Sequence, residues 1–357
     1  MFVERSNNFK ILTMANLSTT YMGLQLRNPI IAGSSGLMND LDYLKQLDSA
    51  GVGAVVLKSV FEEQIRLETE HLMQSDHQKV TEWKATFNEI VDERGYCYEE
   101  ALTYINQFAK EHTLHQYLDF VREAKKSLSV PVIASIHCVS HYDWSYFAKQ
   151  IQEAGADALE LNVYVLPSDA NRTGVENDQI YFDVVEQVMK QVSIPVSLKI
   201  GYYFSSMVNT IQKLSETGIA GLVMFNRPYN PDIDIHHLRI SPNHLYSNPE
   251  EYINTLRWIA ILADRVQCDI SASTGIHDYE AVVKQLLAGA SSVQIASALY
   301  KQGPQVIGQL LKGVESWMNS HDFATIDRFK GLMSQSKVEN PAAFERVQFM
   351  KLYSKIE

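Results

Sequence analysis

The chain lacks the residues that mark several classes of protein. It has three cysteines in 357 residues, Cys97, Cys138 and Cys268, and no CxxC pair, so a disulfide framework or a zinc site is not expected. Basic residues are outnumbered, and the formal net charge of −11 argues against a nucleic-acid binder, which needs a basic face. No apolar run approaches the roughly 18 residues of a membrane-spanning helix.

The amino-terminal segment, MFVERSNNFKILTMANLSTTYMG, has no continuous apolar core of the kind found in signal peptides. We therefore expect a cytoplasmic protein with reduced thiols and no membrane partner. Residues 1–13 are predicted to be a disordered or dispensable tail, since Met14 could be the start. Residues 14–357 are predicted to form a single domain.

What the sequence does contain is a repeated alternation of short apolar runs and amphipathic segments. The runs are continuously hydrophobic, as parallel strands buried on both faces should be. There are eight of them: Pro29–Ala32, Ala54–Lys58, Val130–Ile136, Ala158–Asn162, Ile194–Ile200, Gly221–Phe225, Cys268–Ala272 and Ser292–Ile295.

Four of the intervening amphipathic segments end in glycine and lead at once into the next apolar run, as in AGVGAVVLK and TGIAGLVMF. This pattern predicts a (β/α)₈ TIM barrel. The two long intervals, 59–112 and 227–249, predict insertions at the carboxyl-terminal face, where such barrels build substrate sites. Alternatively, the first holds a helix or hairpin outside the site. The tail beyond Asp322 is predicted to be a terminal helix.

In a barrel the residues that end the strands meet at one rim. Lys58 and Lys199 each end a buried apolar run, and a lysine in a low-dielectric mouth needs an anionic or hydrogen-bonding partner. A reduced flavin ring would supply one, provided that both ammonium groups point into the same mouth. Alternatively, each lysine pairs with a neighbouring carboxylate such as Glu160.

Small residues follow the last two predicted strands, in SASTGI and QIASALY. They leave backbone amides open beside helix starts, which is the usual phosphate site of barrel enzymes. Asn162 and Asn226 suit the edge of a heterocycle, or else serve as turn residues. His137 suits an acid or base, or else is structural.

Taken together and in order, these motifs resemble the dihydroorotate dehydrogenase family of FMN enzymes of pyrimidine biosynthesis, in its soluble form. The likeness covers about Leu17 to Leu310. Its elements are the opening LSTTYMGLQLRNPIIAGSSG, then GVGAVVLKS, VPVIASIHC, ADALELN, IPVSLKI, GLVMFN and the closing LAGASSVQIASALY.

The resemblance implies an FMN held at the rim and an orotate-like small-molecule substrate. It also implies hydride transfer to flavin N5, a base that removes a proton from the substrate, and a possible homodimer. The ring and ribityl chain would contact Ser34, Ser35, Lys58, Ser59, Asn162 and Lys199, with Asn226 also on the flavin side. The phosphate would contact Thr274, Gly275, Ala296 and Ser297. No metal is implied.

The substrate half departs from the family pattern. Val165 stands where the family has its Cys or Ser base, and it cannot move a proton. Lys58, Tyr164, Ser168 and His137 are the candidates that remain for catalysis, although an unactivated Tyr or Ser is a poor base at pH 7. Arg227 places a cation near the substrate.

Two alternatives therefore stay open beside dihydroorotate oxidation. One is a flavin ene-reductase or a dihydropyrimidine-type enzyme. The other is a flavinless phosphate-binding barrel that acts as an isomerase, lyase or sensor.

Overall fold

The computed structural model describes residues 15–61, 114–137, 143–228, 230–242 and 245–346. The part it describes contains a closed barrel of parallel strands surrounded by helices, so the predicted (β/α)₈ fold is confirmed. The strands in chain order are β1 Thr19–Tyr21, β2 Leu24–Leu26, β3 Ile30–Ala32, β4 Ala54–Val56, β5 Val60–Phe61, β6 Val132–His137, β7 Ala158–Val163, β8 Val196–Ile200, β9 Gly221–Met224, β10 Pro231–Asp234, β11 Arg239–Pro242, β12 Asp269–Ser273 and β13 Ser292–Ile295.

Eight of these strands form the barrel, in the order β3, β4, β6, β7, β8, β9, β12 and β13, and β13 pairs back onto β3. Each corresponds to one of the eight apolar runs, with its ends shifted by at most two residues. All pairings between them are parallel, which turns every strand's carboxyl end toward the same rim. The short β5 resumes the path of β4 and pairs with the end of β6.

The surrounding helices form because the intervening segments are amphipathic and capped. Asp40 and Asp278 accept backbone N–H groups at two helix starts, and Thr173 forms a capping box with Glu176 at a third. The α-helices are Leu41–Ser49, 114–127, Asp143–Glu153, Gly174–Met189, Met207–Ser215, Tyr252–Leu262, Tyr279–Ala288, Ser297–Gln302, Gln305–Ser320 and Ala342–Glu345. The four predicted terminating glycines all have positive φ.

The amino-terminal end of the barrel is closed by the antiparallel hairpin of β1 and β2. Tyr21 and Met22 are buried there and pack with apolar side chains of β3, β4, β6 and β7. Gly221 leaves the space that Tyr21 occupies, since a Cβ at this glycine would lie 2.9 Å from the phenol oxygen. A ligand site is therefore expected at the opposite end of the barrel, where the strands have their carboxyl ends.

The predicted insertion after β9 contains a second hairpin, formed by β10 and β11. The first predicted insertion, residues 59–112, lies almost entirely outside the described residues, as does the tail 1–13. Within the described ranges no helix has both the length and the apolarity to cross a bilayer.

The prediction of a terminal helix beyond Asp322 is wrong for residues 322–346. This segment is mostly turns, with two short helical stretches, Ile326–Arg328 and Ala342–Glu345. Its polar groups bond to the barrel instead: Asp264 accepts hydrogen bonds from Ser334 and Ser336, and the Gly331 N–H donates to the Leu286 carbonyl. These hydrogen bonds to the neighbouring helices take the place of the i to i+4 backbone hydrogen bonds that a terminal helix would form.

Candidate active site

A cavity of about 520 Å³ opens at the carboxyl ends of β3, β8, β9, β12 and β13. This volume lies within the range of sites that hold cofactor-sized ligands. It is lined by Ser34, Ser35, Lys199, Asn226, Arg227, Pro228, Leu245, Tyr246, Ser247, Ser273, Thr274, Gly275, Ile276, Gln294, Ile295, Ala296, Ser297 and Tyr300.

Most of the residues predicted to bind a cofactor therefore line one cavity. They are Ser34, Ser35, Lys199, Asn226, Thr274, Gly275, Ala296 and Ser297. Two of the other three lie immediately behind this wall. Ser59 is buried against Ser34, with 3.1 Å between their hydroxyl oxygens, and Asn162 accepts a 2.7 Å hydrogen bond from the Asn226 amide.

Lys58 is the exception among the predicted cofactor residues, because it does not line this cavity. It is partly exposed just beyond β4, and its side chain forms no ion pair with the described part of the chain. That Lys58 and Lys199 share one mouth stays a prediction.

Lys199 lies inside the barrel and belongs to a buried polar network. Its ammonium Nζ is 3.4 Å from Oε1 of Glu160 and donates to Oε1 of Gln294 at 3.1 Å. The Gln294 amide in turn donates to Oε2 of Glu160 at 2.6 Å. The alternative interpretation of the sequence, in which the lysine pairs with Glu160, is thus correct for Lys199, which nevertheless also faces the cavity.

A chain of hydroxyl groups lies on the β3 side. The Ser59 N–H donates to Oγ of Ser34, and the Ser59 and Ser135 hydroxyl oxygens are 2.8 Å apart. Ser35, next in the chain, has a buried Oγ with no hydrogen-bond partner among the described residues. A buried hydroxyl facing a cavity without a partner is a group that a polar ligand can satisfy.

Consecutive left-handed residues form the turn after β12. Thr274 has φ +78° and Gly275 has φ +76°. A β-branched residue is rarely found at positive φ, and such strain is characteristic of functional sites. The Thr274 hydroxyl donates to the Phe225 carbonyl at 3.1 Å and holds the turn against β9. The turn exposes backbone to the cavity beside Ala296 and Ser297, as a phosphate group requires.

The end of the insertion lies across the side of the cavity where a phosphate is predicted to bind. Ser247 donates its N–H to Oγ of Ser297 at 3.0 Å, and its hydroxyl lies 3.0 Å from Nε2 of His277. Lys301 donates to the Ser247 carbonyl at 2.8 Å. Burial and the charge of Lys301 lower the pKa of His277, which therefore favours its neutral form.

Val165, which the resemblance aligns with the base of the family, packs against the core, with its N–H donating to the Tyr181 phenol. Tyr164 packs against Gly201, where an added Cβ would lie 2.8 Å from its ring. Burial, and next the neighbouring Tyr203 phenol, raise the pKa of Tyr164 well above its usual value. Tyr164 is therefore a neutral phenol at pH 7, and its raised pKa makes it a weaker proton donor than an ordinary tyrosine as well as an unsuitable base.

Tyr164 does not line the cavity, and two other catalytic candidates, His137 and Ser168, do not line it either. Nδ1 of His137 lies 2.5 Å from the Asn162 carbonyl oxygen and so must carry the proton that it donates. Ser168 is exposed in the loop after β7, and its N–H donates to the Leu166 carbonyl. His137 helps to position Asn162.

Arg227 does line the cavity, as the sequence predicts, but its charge is matched. Its Nε lies 2.8 Å from Oε2 of Glu251, and its Nη2 lies 3.3 Å from Oε1 of the same carboxylate. Burial alone would raise the pKa of Glu251, but hydrogen bonds from Arg227 and Asn248 lower it overall. The ion pair fastens the insertion to the next helix, so a substrate anion would have to compete with Glu251.

Some residues of the site are not identified as such by the sequence. Gln294 is present in the closing VQI motif, but nothing local shows that it joins Lys199 to Glu160. Ser247, Tyr246 and Tyr300 reach the cavity from the insertion and from the helix after β13, and the rings of these two tyrosines are 5.2 Å apart. Within the described residues no group of three or more His, Cys, Asp or Glu is placed to hold a metal ion.

Fold and site together define a (β/α)₈ barrel with a polar, phosphate-compatible cavity and a buried lysine at its rim. The family model described as dihydroorotate dehydrogenase matches residues 105–318. That match spans more than half of the chain, and the protein belongs to the dihydroorotate dehydrogenase family, whose members are oxidoreductases acting on CH–CH groups.

Several relatives extend this likeness. The chain is 25% identical over 324 residues to the dihydroorotate dehydrogenase B (NAD(+)) catalytic subunit of Thermoplasma volcanium, covering 89% of this chain and 99% of that one. The Thermoplasma acidophilum protein of the same description is 26% identical with the same coverage. A putative dihydroorotate dehydrogenase A (fumarate) of Aeropyrum pernix is 30% identical over 223 residues, which is 59% of this chain and 72% of the relative. The resemblance stated from the sequence is therefore confirmed at the level of the family.

Proposed function

We propose that this protein is an FMN-dependent oxidoreductase of dihydroorotate dehydrogenase type. The observation that carries the proposal is the single cavity that combines a buried lysine, a partnerless buried hydroxyl and a strained turn. Lys199, Ser35 and Thr274 respectively provide these features. FMN has a ring that becomes anionic on reduction, a polyhydroxyl chain and a phosphate, and each feature suits one part of it.

Each part of the chain has a distinct task toward the cofactor. The turn at Thr274 and Gly275 would hold the phosphate, together with Ala296 and Ser297. The serine cluster of Ser34, Ser35 and Ser59 would hold the ribityl hydroxyls. Lys199 and the paired asparagines 162 and 226 would hold the polar edge of the ring. FMN, when bound, supplies a two-electron acceptor for hydride.

The proposed substrate is dihydroorotate or a related dihydropyrimidine-like anion, oxidised by hydride transfer to flavin N5. The relatives named above support this choice, while the replacement of the family base by Val165 requires that another group accept the substrate proton. Asn162 and Asn226 are neutral polar groups near the rim, and they can orient a planar amide-containing ring by donating and accepting hydrogen bonds.

Two measurements test this proposal. The purified protein should absorb in the flavin bands, and Lys199→Ala should lose most of its FMN; full occupancy in that variant would contradict the assignment of the rim. Oxidised holoprotein mixed anaerobically with dihydroorotate should bleach. If it neither bleaches nor binds orotate, dihydroorotate is not the substrate, although a yellow protein would still support FMN binding.

A further inference from the structure

The buried charge next to Lys199 is unusual because it lies within the barrel wall. Glu160 is 1% exposed and Lys199 is 8% exposed. Oε1 of Glu160 faces the ammonium at 3.4 Å yet forms no hydrogen bond within the described residues, while Oε2 is held by Gln294. Oε2 of the carboxylate is therefore fixed by a hydrogen bond, whereas Oε1 interacts with the ammonium through charge alone.

Gln294 is the element that fixes the geometry of this pair. Its carbonyl oxygen accepts from Lys199 and its amide group donates to Glu160, so one side chain orders both partners across 134 residues of sequence. The three residues come from β8, β13 and β7, which are strands of one rigid barrel. Gly33 on the neighbouring turn leaves room for Gln294, since a Cβ there would lie 3.3 Å from it.

We propose that Glu160 and Gln294 are positioning residues that hold the Lys199 ammonium at the cavity wall and offset part of its positive charge. The inference rests on the proposed FMN function and concerns the reduction potential of the bound flavin. A lysine beside the ring stabilises the negatively charged reduced form. A carboxylate fixed behind that lysine weakens this stabilisation and keeps the flavin a poorer electron acceptor than the lysine alone would make it.

The negative charge of Glu160 also acts on other groups of the barrel interior. After burial, it is the next contribution that raises the pKa of Tyr21. No charged side chain other than Lys199 is paired with Glu160 among the described residues. The negative charge of Glu160 therefore affects a ligand in the cavity by reducing the effect of the positive charge of Lys199.

The test uses the FMN-loaded full chain and two substitutions of Glu160, one that removes its charge and one that keeps it. Glu160→Gln removes the charge and keeps the shape, so the flavin midpoint potential should rise, and sulfite, whose addition leaves negative charge on the ring, should bind about tenfold more tightly or better. Glu160→Asp keeps the charge, so the potential and the sulfite affinity should stay close to those of the parent. Glu186→Gln, at an exposed carboxylate paired with Lys190, is the control and should change neither quantity.

The difference between the two substitutions decides the outcome. If the network only supports packing, Glu160→Gln and Glu160→Asp change the potential alike or leave it unchanged, and the proposal is overturned. If Glu160→Gln does not fold, Glu160→Met removes the same charge with a side chain of similar length and still tests the sign. A parent protein that binds no FMN at all would instead refute the proposed function, which separates the two failures.

Discussion

Lys199→Met should destabilise the fold by about 3–5 kcal/mol, because it removes one partner of a buried ion pair and leaves Glu160 uncompensated. Methionine fills a similar volume, so the loss measures charge and not a cavity. If the pair were at the surface, the expected loss would be only about 0–1 kcal/mol. The exposures of the two residues place this pair in the buried class.

The assay is urea unfolding of flavin-free protein, followed by far-UV circular dichroism at constant pH. Flavin-free protein is used because a bound ligand adds its own stabilisation. The double variant Lys199→Met with Glu160→Gln should recover most of the loss, since no unpaired charge is left. A loss below about 1 kcal/mol in the single variant, or strictly additive losses in the double variant, would refute the interpretation of the pair.

Two further predictions concern the turn after β12 and a partly buried carboxylate. Gly275→Ala should lower the melting temperature and the FMN affinity together. The added Cβ would lie 2.3 Å from the Tyr252 nitrogen, at a φ that disfavours side chains. An unchanged melting temperature would show that the turn can adjust to the side chain without strain. Burial alone would raise the pKa of Asp48, but hydrogen bonds from Ser129 and then the charge of Arg27 lower it overall. The ionised form is thus favoured by folding, and its contribution is present at neutral pH and lost as the pH falls through the lowered pKa. Unfolding midpoints between about pH 6 and 3 should therefore fall less steeply in Asp48→Asn than in the parent, and parallel curves would contradict this.

The barrel could be predicted from the sequence because each strand is encoded locally. A continuous apolar run preceded by a helix and a glycine, such as the run at Ala54–Val56, has few other interpretations in an α/β chain. The residues predicted to bind a cofactor follow from this, since parallel strands end at one rim whatever their loops do. Lys199, Thr274 and Ser297 were found in this way.

What could not be predicted depends on partners distant in sequence. Three features arise from geometry that no local pattern encodes. They are the ion pair of Arg227 with Glu251, the hydrogen bonds by which Gln294 joins Lys199 to Glu160, and the burial that raises the pKa of Tyr164. The tail beyond Asp322 also has apolar residues at helical spacing, but its backbone groups find partners on the barrel surface. The apolar periodicity of a segment does not show whether contacts with the rest of the protein will compete with helix formation.

The hairpin of β1 and β2 has a consequence for kinetics. Because Tyr21 and Met22 fill the amino-terminal end, ligands enter and leave the barrel through the opposite end. A molecule seated at the depth of Lys199 then shares its exit with whatever binds above it. Exchange of the deeper ligand should slow in proportion to occupancy of the outer position, so a saturating outer ligand would act as a kinetic trap without touching the inner one.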